Sequence, residues 1–272
     1  MLVALLTIGV CAKGQQNSFT IIQFSDPQLG MFTDNRDFSR EIVNFSRAIA
    51  VANQLKPALV VVTGDLVNRT GDSAQIAAYK RVAQQLNPVI RLYNVPGNHD
   101  VGNEPTAGGI AAYRKGFGAD YYQFHYKNLL GIVLNSIYLH SPDAMPGALL
   151  AQESWLKQTL AGARRQGYQQ IIVFLHQPFF LQEPAEADQY FNIPASVRKK
   201  YLAMFKANGI RYVFAGHYHR NALGHDGQVE MVTTGPVGKP LGDTPSGYRV
   251  ITIRGKQLTH RYYALDSLPP TK

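Results

Sequence analysis

Cysteine is almost absent from this sequence, which has a single one, Cys11, among its 272 residues. One cysteine cannot form an intramolecular disulfide, and without a Cys-x-x-Cys pair the chain offers no thiolate zinc site. The sequence also lacks a Gly-x-Ser-x-Gly motif, so a serine nucleophile on a strand-to-helix turn is not indicated. Gly238 and Lys239 precede Pro240 without the upstream glycine of a phosphate-binding loop, which excludes that loop as well.

Long hydrophobic runs are also scarce. The apolar run at Leu2–Val10 is too short for a membrane-spanning helix, which needs roughly 20 residues. Small residues follow it at Ala12 and Gly14, as in the cleavage site of a secretory signal peptide. The pattern predicts a signal peptide over residues 1–14, export to the periplasm or the exterior, and no transmembrane span. A buried first strand and lipidation of Cys11 are the alternatives.

Acidic residues are fewer than basic ones, 18 against 27, and the formal net charge is +9. This excess favours anionic partners such as phosphate esters, nucleic acid or acidic membrane surfaces. The basic residues are scattered, with only short pairs such as Arg164-Arg165, so no dedicated nucleic-acid site is expected. A hydrophobic content of 45% fits a globular chain, and we expect one domain over residues 15–272.

Strand-like and helix-like segments alternate along the chain. The predicted strands before the C-terminal region are Ser18–Phe24, Ala58–Val62, Val89–Tyr93, Tyr121–Tyr126, Leu130–Asn135, Ile171–Leu175 and Ile210–Ala215. The predicted helices are Asp37–Leu55, Ser73–Leu86, Ala151–Arg165 and Pro194–Ala207. A β-rich tail follows, which indicates an α/β fold with a mixed sheet and a second packed sheet. Residues 101–118 are interpreted as a lid or surface excursion and residues 179–195 as a loop, both of which would shape a pocket.

Potential metal ligands follow five of the apolar strands. These segments are Asp26-x-Gln28, Gly64-Asp65-x-x-Asn68, Gly97-Asn98-His99-Asp100, His176, and Gly216-His217-x-His219. Ligand sites in open α/β folds lie beyond the carboxyl ends of the strands. Two neighbouring divalent ions need a bridging carboxylate together with imidazole and oxygen ligands, and glycines let the main chain pass close to them. Taken singly, each segment also has an ordinary reading as a turn or a core histidine.

This ordered set resembles the calcineurin-like metallophosphoesterase superfamily from about residue 19 to residue 219. The resemblance implies a four-layer α/β/β/α sandwich with mixed sheets and a centre of two divalent ions (Mn, Fe, Zn or Mg). It implies that His99 contacts the phosphate and protonates the leaving oxygen, with Asp100 orienting it. It assigns the first ion to Asp26, Gln28, Asp65 and His219, and the second to Asp65, Asn98, His176 and His217, with Asp65 as the bridge.

Gln28 departs from the histidine that most of this superfamily has at the corresponding place. Here the sequence looks like the subgroup of calcineurin-like phosphoesterase domain-containing protein 1, which also has Gln. A neutral amide oxygen is a weaker and harder ligand than imidazole, so we expect lower affinity for the first ion and a shift toward Mn²⁺ or Mg²⁺. Asn68 falls in the superfamily's motif at Gly64-Asp65-x-x-Asn68 and is expected to support the ligands without binding metal.

The expected activity is hydrolysis of an anionic phosphate ester by a metal-bridged hydroxide. The resemblance points to a phosphomonoesterase, with phosphoserine and phosphothreonine in proteins among its substrates. The alternatives are a phosphodiesterase or nucleotidase on the same centre, and a catalytically weak protein that binds phosphorylated ligands. Tyr113, Phe117, Phe179 and Phe180 are interpreted as core residues, with contact to a leaving group as the alternative.

Overall fold

A computed structural model of the chain describes residues 18–270. The predicted signal peptide at residues 1–14 lies outside the described residues. Eleven strands are present in the described part: β1 (Ser18–Phe24), β2 (Leu59–Thr63), β3 (Arg91–Val95), β4 (Tyr122–Tyr126), β5 (Leu129–Val133), β6 (Gln170–Phe174), β7 (Tyr212–Ala215), β8 (Ala222–Asp226), β9 (Val229–Thr233), β10 (Gly247–Arg254) and β11 (Gln257–Ala264).

The strands form two mixed sheets. The first has the order β11-β10-β1-β2-β3, in which β1, β2 and β3 are parallel and β10 runs antiparallel to β1. The second has the order β4-β5-β6-β7-β9-β8, with β5, β6, β7 and β9 parallel. Because parallel strands present their carboxyl ends at one edge, each sheet collects its following loops there.

Helices cover the outer face of each sheet. The α-helices of the described part are α1 (Ser39–Leu55), α2 (Ser73–Ala83), α3 (Asn98–Val101), α4 (Ala107–Phe117), α5 (Ile137–His140), α6 (Pro146–Gln166) and α7 (Ala195–Ala207), of which α3 and α5 are single turns after β3 and β5. One apolar cluster joins α1, α2 and α4 to the first sheet, and another joins α6 and α7 to the second. A third cluster fills the space between the sheets, where Val61 and Phe174 are fully buried. The predicted four-layer α/β/β/α sandwich is therefore confirmed. Within residues 18–270, no helix has the length and apolar character needed to cross a bilayer.

The interpretation of residues 101–118 as a lid is wrong. Most of this segment is helix α4, whose first turn is capped by Thr106, with Oγ1 accepting the N–H of Gly109. Ile110 and Tyr113 are buried in the core beside the first sheet. The segment's glycines lower its intrinsic helix propensity, but the burial of one apolar face stabilises the helix nevertheless.

The sequence does not predict strand β8, because it is a polar edge strand whose formation depends on its hairpin with β9. The interpretation of the aromatic residues as core is confirmed for Tyr113, Phe179 and Phe180, which are at most 1% exposed. Phe117 packs against the same cluster as Tyr113.

Candidate metal centre

The loops that follow β1, β2, β3, β6 and β7 meet where the two sheets adjoin. His176 Nδ1 lies 2.8 Å from the carbonyl oxygen of Thr63, the last residue of β2, and so joins the sheets. The main-chain N–H of Gly216, after β7, donates to the His176 carbonyl over 2.9 Å. The seven predicted ligands are all buried at this edge: Asp26, Gln28, Asp65, Asn98, His176, His217 and His219.

The ionisable ligands form two groups that share one carboxylate. Asp65, His176 and His217 make one group, and Asp26, Asp65 and His219 make the other, with the ligand atoms of each group within 4.8 Å of one another. Asp65 is thus in the position expected of a carboxylate that bridges two ions. This grouping has the same division as the two predicted ligand sets.

Hydrogen bonds fix the orientation of both buried aspartates. Asp65 Oδ1 accepts the main-chain N–H of His99 over 2.9 Å, and Asp65 Oδ2 lies 3.2 Å from His176 Nε2. Asp26 accepts the main-chain N–H of His217 at 3.1 and 3.2 Å, and its Oδ1 lies 3.3 Å from His219 Nε2. Both carboxylates are therefore held for contact with the imidazoles, and buried charges of this kind require a cationic partner.

The buried carboxylates favour positive charge on the two histidines beside them. Burial alone would lower the pKa of His176, but the adjacent Asp65 and Asp26 carboxylates raise it to about 9. For His219, Asp26 likewise outweighs burial and raises the pKa. The pKa of His217 is lowered to about 3 by burial and by the neighbouring His176. Burial opposes ionisation of Asp65, yet the surrounding histidines hold its pKa below its usual range.

The backbone around the ligands is strained. Five of the predicted ligands have left-handed φ values between 37° and 70°, which residues other than glycine rarely adopt: Asp26, Gln28, Asp65, His217 and His219. Such conformations persist where surrounding structure enforces them and are concentrated at functional sites. The main chain at two of the glycines also lies close to the ligand loops, as predicted. A Cβ at Gly97 would collide with Asp65, and a Cβ at Gly216 would collide with Ser25.

Gln28 supplies a direct test of whether a cation fits. Its Oε1 is buried and has no hydrogen-bond partner within the described structure, whereas its Nε2 donates to Asn68 Oδ1 over 3.1 Å. An orphaned buried oxygen costs roughly 1–3 kcal/mol, and a metal ion would satisfy it. Two carboxylates, three imidazoles and amide oxygens also match the donor types that divalent metals take. The residues present therefore fit the expected ions.

The structure places His99 at the same edge but changes the role expected of Asp100. The ring nitrogen Nδ1 of His99 lies 2.9 Å from the carbonyl oxygen of Asn68, so a main-chain group orients the ring. Within the described structure, the Asp100 carboxylate makes no hydrogen bond to that ring. It accepts the main-chain N–H groups of Leu66, Val67 and Gly97 at 2.8–3.1 Å. Asp100 therefore joins the loops after β2 and β3, and the expectation that it orients His99 is wrong.

Tyr190 is a residue at this site that the sequence did not single out. Its hydroxyl lies 3.3 Å from Asn98 Nδ2, and its carbonyl oxygen lies 3.0 Å from His217 Nε2. The ring is half exposed, so it forms part of the rim of the centre. Tyr190 lies in the loop predicted at residues 179–195. An aromatic residue in a loop expected to shape a pocket is the feature of the sequence that could have indicated it.

Comparisons with known proteins give the family and the fold. Residues 19–221 match the family described as calcineurin-like phosphoesterase. The chain is 37% identical over 265 residues to a Bos taurus protein named serine/threonine-protein phosphatase CPPED1, covering 92% of this chain and 85% of that protein. Its Homo sapiens counterpart is 37% identical over 266 residues, with the same coverage of both chains. Among solved structures, GAP50 of Plasmodium, described as the anchor in the inner membrane complex, superimposes with a TM-score of 0.66 at 13% identity. That match covers 92% of this chain and 85% of the other, and it supports the fold alone.

Proposed function

Because the chain belongs to the calcineurin-like phosphoesterase family, we propose that it is a phosphomonoesterase that works with two divalent ions. Membership makes it a metal-dependent hydrolase of phosphate esters. The observation that carries the proposal is the sharing of Asp65 between two ligand groups. Gln28, whose main-chain N–H donates to the Asp65 carbonyl over 2.8 Å, adds a buried side-chain oxygen without a hydrogen-bond partner. Buried side-chain oxygens in a purely structural polar cluster are normally hydrogen-bonded.

The proposed ligand sets are those expected from the sequence. Asp26, Gln28, Asp65 and His219 would hold the first ion, and Asp65, Asn98, His176 and His217 would hold the second. When bound, such ions supply Lewis-acid charge that polarises a phosphate ester and acidifies water. The ions proposed are Mn, Fe, Zn or Mg. The neutral oxygen of Gln28 favours Mn²⁺ or Mg²⁺ among them.

We assign the proton transfer to His99. Hydrolysis breaks the bond between phosphorus and the ester oxygen, water provides the entering oxygen, and the departing alkoxide needs a proton. With Nδ1 against the Asn68 carbonyl, the Nε2 of His99 is the nitrogen available to give that proton. Asp65 accepts the main-chain N–H of His99 and so ties the proposed acid to the bridging ligand.

The proposed substrates are phosphoserine and phosphothreonine in proteins. The relatives that share 37% identity over most of their length are named serine/threonine-protein phosphatases. A net charge of +9 suits an anionic partner of this kind. A serine or threonine alkoxide is a poor leaving group, which is the case in which a proton donor such as His99 contributes most.

Hydrolysis of three esters tests the proposal: a phosphoserine peptide, p-nitrophenyl phosphate and bis-p-nitrophenyl phosphate. The protein would be stripped of metal and reloaded with Mn²⁺, Mg²⁺, Zn²⁺ or Fe²⁺. Metal-dependent turnover of both monoesters, lost in Asp65→Asn and kept in His125→Ala, is the expected result. His125 is a matched control because it is exposed on β4, where Tyr168 contacts it. Faster turnover of the diester would establish a phosphodiesterase. Bound metal without any turnover would indicate a phospho-ligand binder.

We also propose that the protein is exported, on the strength of the apolar run at Leu2–Val10 and the small residues after it. Cleavage after Gly14 would remove Cys11. N-terminal sequencing of the protein from a secreted or periplasmic fraction tests this proposal, with Gln15 as the expected first residue. Lipid on Cys11, or an intact Met1 in the cytosolic fraction, would contradict it.

A further inference from the structure

A chain of amide side chains leads from Gln28 away from the metal centre. Gln28 Nε2 donates to Asn68 Oδ1 over 3.1 Å, and Asn68 Nδ2 donates to Asn35 Oδ1 over 2.8 Å. Gln75 Nε2 donates to the same Asn35 oxygen over 2.9 Å. The far end of the chain is anchored on the backbone, where Gln75 Oε1 accepts the main-chain N–H groups of Asn68 and Arg69, both at 3.0 Å.

The hydrogen bonds from the main chain to Gln75 fix the orientation of every amide side chain in this network. A main-chain N–H can only donate, so the oxygen of Gln75 must face it and the nitrogen of Gln75 must face Asn35. Asn35 then presents its oxygen to Asn68, and Asn68 presents its own oxygen to Gln28. The end result is that Gln28 turns its nitrogen to the network and leaves its buried oxygen without a hydrogen-bond donor.

Gly30 leaves the space through which this network passes. Its φ is +114°, and a Cβ there would lie 2.7 Å from Gln75 Nε2 and 2.9 Å from Asn35 Oδ1. A larger residue would displace both amides. Gln75 itself is 1% exposed, so its hydrogen bonds are shielded from competing water.

We propose that Asn35 and Gln75 are positioning residues that hold the Gln28 oxygen toward the first ion. A reversed Gln28 amide would turn two N–H donors toward a cation and remove one ligand. None of the network's side-chain hydrogen bonds reaches Asp65, His176 or His217, so its effect on the ligands acts through Gln28, which belongs to the set proposed for one ion only. This inference rests on the metal centre proposed above. The Asn68 carbonyl also faces His99 Nδ1, so the segment that holds the ligand also holds the proposed acid.

The test is a calorimetric titration of Mn²⁺ alone into the metal-free full chain and three variants. Asn35→Gly removes the acceptor and keeps the left-handed backbone that Asn35 has at φ 65°. Asn35→Asp keeps an acceptor for both donors. Asp34→Gly is the matched control, because Asp34 is the preceding residue, is exposed and is also left-handed, at φ 54°. Thermal melting of each metal-free variant shows whether it is folded.

We expect the wild-type protein to bind two Mn²⁺ ions. Asn35→Gly should weaken one binding step by roughly tenfold to a hundredfold and leave the other unchanged, as for residues that orient metal ligands. Asn35→Asp and Asp34→Gly should retain both steps. Three results would overturn the positioning role alone. In the first, Asn35→Gly binds both ions with wild-type affinity, and in the second it weakens both binding steps equally. In the third, Asn35→Asp or Asp34→Gly loses as much affinity as Asn35→Gly does. A wild-type protein that binds fewer than two ions would overturn the metal centre as well.

Discussion

Replacement of His99 by alanine separates proton donation from metal binding. The side chain of His99 belongs to neither ligand group, and its hydrogen bond to Asp65 comes from the main-chain N–H, which alanine retains. The variant loses the contact between Nδ1 and the Asn68 carbonyl. We therefore expect His99→Ala to bind two ions as the wild-type protein does.

The magnitude of the effect depends on the leaving group. A positioned general acid contributes roughly 10²- to 10⁴-fold, or about 2.7–5.4 kcal/mol of transition-state free energy. A serine alkoxide needs that proton, so His99→Ala should lose roughly this factor in kcat/KM on a phosphoserine peptide. The p-nitrophenolate ion is stable without a proton, so the loss on p-nitrophenyl phosphate should be much smaller.

The assay compares kcat/KM for the two esters in the wild-type protein, His99→Ala and His125→Ala, together with the metal content of each. His125→Ala should match the wild-type protein on both esters. Equal losses on the two esters in His99→Ala would refute proton donation and leave charge stabilisation as the role of His99. A loss of bound metal would show that His99 is a ligand, in contradiction to the geometry.

Four further predictions concern the metal centre and the core. Chelation of the metal should lower the melting temperature, and metal restored at a hundred times its Kd should return about 2.7 kcal/mol per ion in scanning calorimetry. Asp65→Asn should reduce the bound metal below two ions by elemental analysis, because both ligand groups lose a carboxylate. With a pKa of about 9, the His176 ring of the metal-free protein is protonated at neutral pH. Metal binding should therefore release a proton, and metal affinity should rise with pH up to about pH 9. Calorimetry in buffers of different ionisation enthalpy measures both effects. Ile110→Ala should cost about 2–4 kcal/mol in urea unfolding, because Ile110 is 4% exposed, whereas Leu150→Ala, at a residue 65% exposed, should cost less than about 0.5 kcal/mol.

Local signals were sufficient for most of the elements. Strand β1 ends at Phe24, where the predicted strand ends, and Asp72 caps α2 by accepting the N–H groups of Ala74 and Gln75. Gly167 follows α6 in the left-handed conformation that ends a helix. The helix at residues 107–117 is not predicted, because the glycines of this segment lower its helix propensity. That propensity is a weak guide when an apolar face can be buried.

The sequence by itself determined which side chains stand at the strand ends, because periodicity and turn residues are local properties of the chain. Only the tertiary structure decided how those side chains are used. It placed Asp65 in both ligand groups, turned Asp100 to the backbone and brought Tyr190 to the rim. It also assembled an amide chain in which Gln28 and Gln75 cooperate across 47 positions of sequence. These contacts join distant segments and depend on how the two sheets pack, so spacing along the chain does not encode them.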